Sequence, residues 1–504
     1  MNEILAKDVV KYCKGKIICG SENEVLENFT QDTREVEQGY VYIGFKGEHN
    51  DGNIFYEKAL ENGAKVCILQ ASSVEGKINV EEINKKYNNR TIILVENTIK
   101  AVQELAAYKR SLYKIPVVGI TGSVGKTSTK DIIASVMSKK YNVLKTLGNY
   151  NSQVGLPLTI LRLKEHNAMV VEMGMSQKGE ISKLTKIAKP DVAVITNVGT
   201  AHIGNLGSRE NILKAKLEIL EGLNKSGTLV INNDNDLLHK WNLEDKKDYK
   251  IVTFGIENKS DIMPYDIKLS ENGSTYKIDV DGKTYDVKIS VWGNHFVLNS
   301  LCAIAIGRIF NIRMEDILDG IANFELTKRR MQVEKSKNEI TIINDCYNAN
   351  YDSMKAAIEY LGKLNSSTKI AVLGDMLELG EFSKELHEKI GEEVVKNKID
   401  ILITVGKESE NIAKVAELKG MAKEKIHICK NNEEAIQLIK KIAKPKEAIL
   451  LKASNGMKFQ NIYEQIINNI WEKSAIYYCT HILLANIQLY LTLNYQNQYF
   501  NRII

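Results

Sequence analysis

Hydrophobic positions along the chain fall into short β-branched runs, each followed by a Gly or Asn turn and then a longer amphipathic stretch. Such runs occupy Lys65–Leu69, Thr91–Val95, Pro116–Ile120, Met169–Val171, Val192–Ile195, Thr228–Ile231, Ile340–Ile343, Lys369–Leu373, Ile401–Val405 and Ala448–Leu451. Strand-length apolar runs alternating with helix-length amphipathic ones predict α/β units with mainly parallel sheets. Between Ser260 and Ser290 the pattern changes to short alternating stretches punctuated by Asn272-Gly273 and Asp281-Gly282, which predict hairpins. No repeat with a period of about 20–50 residues recurs, which argues against solenoids and propellers.

Two breaks divide this pattern. Pro116 opens a strand that leads into a glycine-rich loop, and a helical stretch ends near Phe324 before the basic run Lys328-Arg329-Arg330. Three domains are therefore expected, at 1–111, 112–325 and 326–470, and the 504 residues are enough for several separate cores. Residues 471–504 differ from the rest: Ser474 to Asn501 carry no Lys, Arg, Asp or Glu. Asn and Gln interrupt that tail too often for a bilayer span of ~20 apolar residues, so no stable membrane insertion is expected of it.

Composition narrows the class. Lys and Arg number 68 against 63 Asp and Glu, a net charge of +5 spread along the chain, so nucleic acid is not the expected partner. The hydrophobic set is 44% and the charged set 26%, which excludes disordered and collagen-like chains. Seven cysteines with no CxxC pair fit a reducing cytosol better than a disulfide framework. The opening Met1-Asn2-Glu3-Ile4-Leu5 reads as neither a signal peptide nor an anchor, so a cytoplasmic location is expected.

The strongest chemical signal is Thr121-Gly122-Ser123-Val124-Gly125-Lys126-Thr127-Ser128, at the end of a hydrophobic strand and the start of a helix. Small residues let successive backbone N–H groups face a polyphosphate, and the helix N-terminus adds partial positive charge. Lys126 is then the partner of the β/γ-phosphates and Thr127 a Mg²⁺ ligand. Ile120 stands where the strict spacing has Gly, so this is a variant P-loop. Glu172, just past a buried strand, sits where ligands bind in open α/β sheets and becomes a candidate metal ligand beside that loop. His202 ends the block Thr196-Asn197-Val198-Gly199-Thr200-Ala201-His202, one loop beyond another strand, and Ser208 reads as a helix cap. Lys216 lies among Ala215, Leu217 and Ile219; periodicity alone makes it a lysine snorkelling at the surface.

These blocks stand in the order of the Mur ligase family, which the chain resembles from about residue 25 to 470. Downstream, Asn344-Asp345-Cys346-Tyr347-Asn348-Ala349-Asn350 and Gly374-Asp375-Met376-Leu377-Glu378-Leu379-Gly380 resemble the branch that adds D-alanyl-D-alanine. The resemblance implies an α/β fold with a small N-terminal domain for the UDP-sugar peptide, a central P-loop ATPase domain and a Rossmann-like C-terminal domain. It further implies an ATP-dependent ligase of the cytoplasmic stage of peptidoglycan synthesis. That enzyme would join D-alanyl-D-alanine to UDP-N-acetylmuramoyl-tripeptide through an acyl phosphate, probing no nucleic acid and acting as a monomer.

Residue roles carry over on the matching positions. Thr127 and Glu172 would hold one Mg²⁺, and His202 a second together with Lys216 in the form of a carbamate. Asn299, in Gly293-Asn294-His295-Phe296-Val297-Leu298-Asn299, matches an adenine contact; Arg330 and Asp345 match further nucleotide contacts. Thr33 and Arg34, with Lys46 and Gly47 in the following turn, match the segment that cradles the UDP-sugar. Asn151, Ser152 and Asn348 match substrate contacts, and Lys452 and Ser454 match residues facing the acceptor carboxylate. The sequence departs from the family pattern at Ser152, Gln153, Phe296, Tyr351, Ala453 and Asn455. Folylpoly-γ-glutamate synthetase shares the P-loop and the modified lysine, but it lacks the N-terminal UDP-binding domain and Asp345–Asn350 points away from it.

Overall fold

The computed structural model describes residues 3–244, 249–336 and 339–467; the tail at 471–504 lies outside the described residues. The chain divides into two compact units, Met1–Thr327 and Lys328–Ile504.

The first unit contains three sheets. Its N-terminal sheet has the spatial order Lys16–Cys19, Thr91–Val95, Val66–Gln70, Val41–Ile43, Phe29–Thr30. Only the Lys16–Cys19 edge runs antiparallel. Its next sheet is six-stranded and wholly parallel, ordered Lys250–Phe254, Thr228–Asn232, Val192–Ile195, Val117–Thr121, Ala168–Glu172, Val143–Lys145. Its central strands are buried throughout, which is why they read as unbroken apolar runs. The predicted hairpins form a three-stranded antiparallel sheet, Tyr265–Ser270, Gly273–Val280 and Lys283–Ile289, with turns at Glu271-Asn272, one residue before the expected dipeptide, and at Asp281-Gly282.

The second unit is built on a six-stranded sheet ordered Gln332–Lys335, Thr341–Asn344, Ala448–Lys452, Lys369–Gly374, Ile401–Val405, Ile426–Cys429. Only its first strand is antiparallel. Helices such as Tyr351–Lys363 and Asn432–Ile442 connect the parallel strands, and Asn350 and Asn431 cap them by accepting from the third residue onwards, Ser353 N–H and Glu434 N–H. Ile342, Ile370, Ile403, Ile449 and Phe459 meet in its core. Among the described residues no helix is long and apolar enough to cross a membrane, and the six described cysteines are all free and buried.

Candidate active site

Register brings the chemistry of the first unit to one sheet edge. Ile120 pairs with Glu172 and Thr121 with Ile195, so the P-loop, the Glu172 turn and the Thr196–His202 segment all leave the C-terminal ends of neighbouring parallel strands. Gly122 has φ +153°, and a Cβ there would lie 1.9 Å from the Thr196 hydroxyl, so the loop closes only with glycine. Gly125, at φ +82°, starts the helix Lys126–Met137 and abuts the Asn299 amide oxygen, which a Cβ would approach to 3.2 Å.

The loop is held from the side by a residue that the sequence reading did not single out. The Asn197 side-chain oxygen accepts from the Ser123 and Val124 N–H groups at 3.0 and 2.9 Å. The Thr196 hydroxyl donates to the Val124 carbonyl at 2.6 Å, and Gly199 N–H donates to the Ser123 hydroxyl at 2.9 Å. Lys126 folds back on the loop, its ammonium 2.8 Å from the Gly122 carbonyl. The sequence signal for Asn197 is its place at a strand end beside the P-loop.

Glu172 is buried and meets Thr127 at 2.9 Å through one oxygen and Asn151 at 2.7 Å through the other. Gly174 lets Asn151 come this close, since a Cβ there would sit 2.9 Å from its amide oxygen. Asn151, expected on the substrate, is thus brought onto Glu172, while the Ser152 hydroxyl accepts from Gly155 N–H at the start of the next helix. A buried carboxylate facing a hydroxyl and an amide has hard oxygens and no cation of its own among the described residues, which is the donor chemistry Mg²⁺ takes. Among the described residues no cluster of three His, Cys, Asp or Glu forms a metal site, and the expected set, with a threonine and a lysine in it, does not need one. His202 adopts a left-handed φ of +63° at the turn before Ile203–Leu206.

Lys216 corrects the surface reading. Its side chain is 1% exposed, on the helix Arg209–Leu217 that Ser208 caps by accepting from Asn211 N–H. Burial, and then repulsion from Lys126, hold its amine well below the usual lysine range. It forms no ion pair among the described residues. Local periodicity could not reveal this, because the helix is short and carries a second lysine at 214; neighbouring elements distant in sequence do the burying.

Around the N-terminal sheet lies a cavity of about 440 Å³ lined by Gln31, Asp32, Thr33, Tyr42, Phe45, Gly47, Asn50, Gly52 and Phe55. Thr33 and Gly47 are therefore brought together as expected, whereas Arg34 and Lys46 do not line it. Arg34 turns back to Asp32, with Nε 2.9 Å from Oδ1, and this hydrogen bond holds the Asp32 carboxyl down at about 2. The aromatic walls Tyr42, Phe45 and Phe55 were missed by the sequence reading, because nothing in their local pattern separates them from core.

In the second unit, Lys452 is 1% exposed and its ammonium is bonded to the Asp345 carboxylate. The other Asp345 oxygen accepts from Met331 N–H at 3.0 Å. The Arg330 guanidinium lies 3.9 Å from the centre of the Tyr347 ring. Ser454 is also buried; it accepts from Leu377 N–H at 2.9 Å and donates to the Ala349 carbonyl at 3.4 Å. Lys452 and Ser454 thus bind protein groups, and Asn348 is exposed beside them with its carbonyl 3.3 Å from the Lys452 ammonium.

Family comparisons now decide the family. Residues 120–307 match the family model for the Mur ligase middle domain, 329–455 that for the Mur ligase glutamate ligase domain, and 26–110 that for the Mur ligase family catalytic domain. This chain belongs to the Mur ligase family. A Bacillus subtilis relative named UDP-N-acetylmuramoyl-tripeptide–D-alanyl-D-alanine ligase is 38% identical over 467 residues, covering 92% of this chain and 98% of its own. Among solved Mur ligases, MurF from Acinetobacter baumannii superposes with a TM-score of 0.80 at 27% identity, covering 93% of this chain and 99% of its own. The MurF ligase of Thermotoga maritima, solved in complex with ADP, gives 0.74 at 30% identity, covering 89% of this chain and 98% of its own. The α/β class with parallel-sheet domains expected from the pattern is the fold of these Mur ligases.

Proposed function

We propose that this Mur ligase is the ATP-dependent enzyme that joins D-alanyl-D-alanine to UDP-N-acetylmuramoyl-tripeptide in peptidoglycan synthesis, acting in the cytoplasm as a monomer. The observation that carries the reading is a P-loop beside the buried Thr127–Glu172 pair, in a chain that spans 98% of a relative bearing that name. We assign 1–111 to the UDP-sugar peptide, 112–325 to ATP and 326–470 to the acceptor. The aromatic cavity at Thr33 and Gly47 suits a nucleobase and diphosphate, since rings stack and turn amides meet phosphate oxygens.

Lys126 is positioned to exchange its loop carbonyl for the phosphates and to offset the charge that builds on the transferring γ-phosphoryl group. That group passes from ATP to the terminal carboxylate of the tripeptide; an O–P bond forms and the bond to ADP breaks. The dipeptide amine then attacks the acyl carbon, loses a proton and expels phosphate. Thr127 and Glu172 would hold one Mg²⁺ and His202 and Lys216 a second, and such ions supply charge neutralisation between two anionic substrates. Burial lowers the Lys216 pKa and so favours the neutral amine, the form that attacks CO₂: its nitrogen bonds the carbon, one proton leaves, and a cation site becomes a carboxylate. Asn299, against the P-loop glycine, is our adenine contact.

The test is a coupled assay with ATP, tripeptide and D-alanyl-D-alanine, each omitted in turn. ADP, phosphate and pentapeptide should appear together only when all are supplied. Pentapeptide without added dipeptide, or ATP turnover indifferent to both substrates, would overturn the reading.

A further inference from the structure

The loop Asp375–Gly380 leaves the C-terminal end of the strand Lys369–Gly374, adjacent to the strand that ends at Lys452. It is anchored from below by buried polar groups. Ser409 N–H donates to the Asp375 carboxylate at 2.8 Å, and Ser454 N–H donates to the Asp375 carbonyl at 3.1 Å. Leu377 N–H donates to the Ser454 hydroxyl. The third anchor is His387, fully buried on the helix Ser383–Lys396. Its Nε2 accepts from Met376 N–H at 3.0 Å, and its Nδ1 lies 2.7 Å from the Ser383 carbonyl, to which it must donate. Asp375 and Glu408 are the charged groups that face it, and the Ser383 hydroxyl is bonded to Glu408 at 2.7 Å.

The anchored part of the loop is buried at Met376 and Leu379, while the tip between them is exposed. Leu377 is 45% exposed, and Glu378 is exposed with a left-handed φ of +63°. A non-glycine residue held in that region costs on the order of 1 kcal/mol and persists only where its surroundings enforce it. Leu377 lies against Gly456, where a Cβ would meet its Cδ1 at 2.9 Å. The tip thus offers a small apolar surface beside a carboxylate at the ligand-binding edge of a parallel sheet. That combination suits an ammonium-bearing dipeptide with methyl side chains and repels a polyphosphate or a UDP-sugar.

We propose that His387 is a positioning residue for acceptor binding: it holds Met376 so that Leu377 and Glu378 receive the amino end of the dipeptide. This inference rests on the function proposed above. Neither Lys452 nor Ser454 touches the dipeptide in this arrangement; both fasten the loops beside it.

The experiment compares His387→Leu, which removes both hydrogen bonds, with His387→Gln, whose amide can accept from Met376 and donate to Ser383. KM values for dipeptide, tripeptide and ATP are measured separately on the full chain. For H387L the dipeptide KM should rise roughly tenfold, as a buried N–H loses its partner, with the other two KM values within about twofold of wild type. H387Q should recover most of that change. An equal rise in all three constants, a loss confined to kcat, or no rescue by glutamine would overturn the positioning role. If H387L fails to fold, Ser454→Ala, which frees Leu377 N–H, must give the same selective rise, and its absence is refuting. Wild-type enzyme is the control: if it forms pentapeptide while the variants bind dipeptide normally, only this inference falls. If wild type forms none, the proposed function falls with it.

Discussion

Lys216→Met separates the cost of a buried lysine from its use. The side chain is 1% exposed and has no ion-pair partner among the described residues, and burial, then Lys126, hold its amine well below the usual lysine range. Burying a polar group without a matched partner costs about 1–3 kcal/mol, so a methionine of similar volume should stabilise the fold by that order. The sign with pH follows from linkage. The folded-state pKa is depressed, so between it and the unfolded value the unfolded chain binds one more proton, and wild-type stability rises with pH at about 1.4 kcal/mol per unit. The variant lacks that slope. Its advantage should therefore be larger at pH 7.5 than at pH 9.5, in buffers stripped of CO₂. Denaturant unfolding at the two pH values measures it, and ligation should be lost in parallel. Added bicarbonate should stabilise wild type and leave the variant unchanged. A variant less stable than wild type without CO₂, or one whose advantage is the same at both pH values, would refute the reasoning.

Three further outcomes are expected. Lys126→Ala should lower kcat by roughly 10²–10³, the loss typical of a major charge stabiliser at ~3–4 kcal/mol; a twofold loss would mean the loop does not carry the γ-phosphate. Gly122→Ala forces a Cβ to 1.9 Å from the Thr196 hydroxyl at φ +153°, so calorimetry should find ATP binding abolished, and wild-type affinity would show that the loop has another way to close. Asp131→Ala removes a buried carboxylate that accepts from Thr327 N–H and hydroxyl at 3.0 and 2.7 Å and lies 3.1 Å from the buried Lys130 ammonium. It should cost about 3–5 kcal/mol by leaving that cation unpaired, and a change in unfolding free energy below ~1 kcal/mol would contradict the pairing.

What the sequence discloses depends on where a residue's burial comes from. Thr91–Val95, Val192–Ile195 and Ile401–Val405 are strands at the predicted limits, and the other predicted runs differ by a residue at one or both ends. These are interior strands of parallel sheets, covered on both faces, and their hydrophobicity is continuous. Strands such as Phe29–Thr30, Val143–Lys145, Gln332–Lys335 and Ile426–Cys429 are short and lie at sheet edges, with mixed burial, so nothing local marks them. The P-loop was legible because its glycines and Lys126-Thr127 are adjacent in sequence. Asn197, Asn151 on Glu172, and His387 under Met376 act across 74, 21 and 11 residues respectively. Such partnerships are set by strand register, which a linear pattern does not contain.

The Asn197 brace has a thermodynamic corollary. With two loop amides already satisfied by its side-chain oxygen and a third strut from Thr196, the phosphate loop needs no coil-to-structure transition when a nucleotide arrives. Ordering a free loop costs roughly 1–2 kcal/mol of backbone entropy per residue, and here that loss is incurred once, during folding. Nucleotide encounter then resembles docking on a rigid surface, with a small heat-capacity change and little temperature dependence of the binding enthalpy.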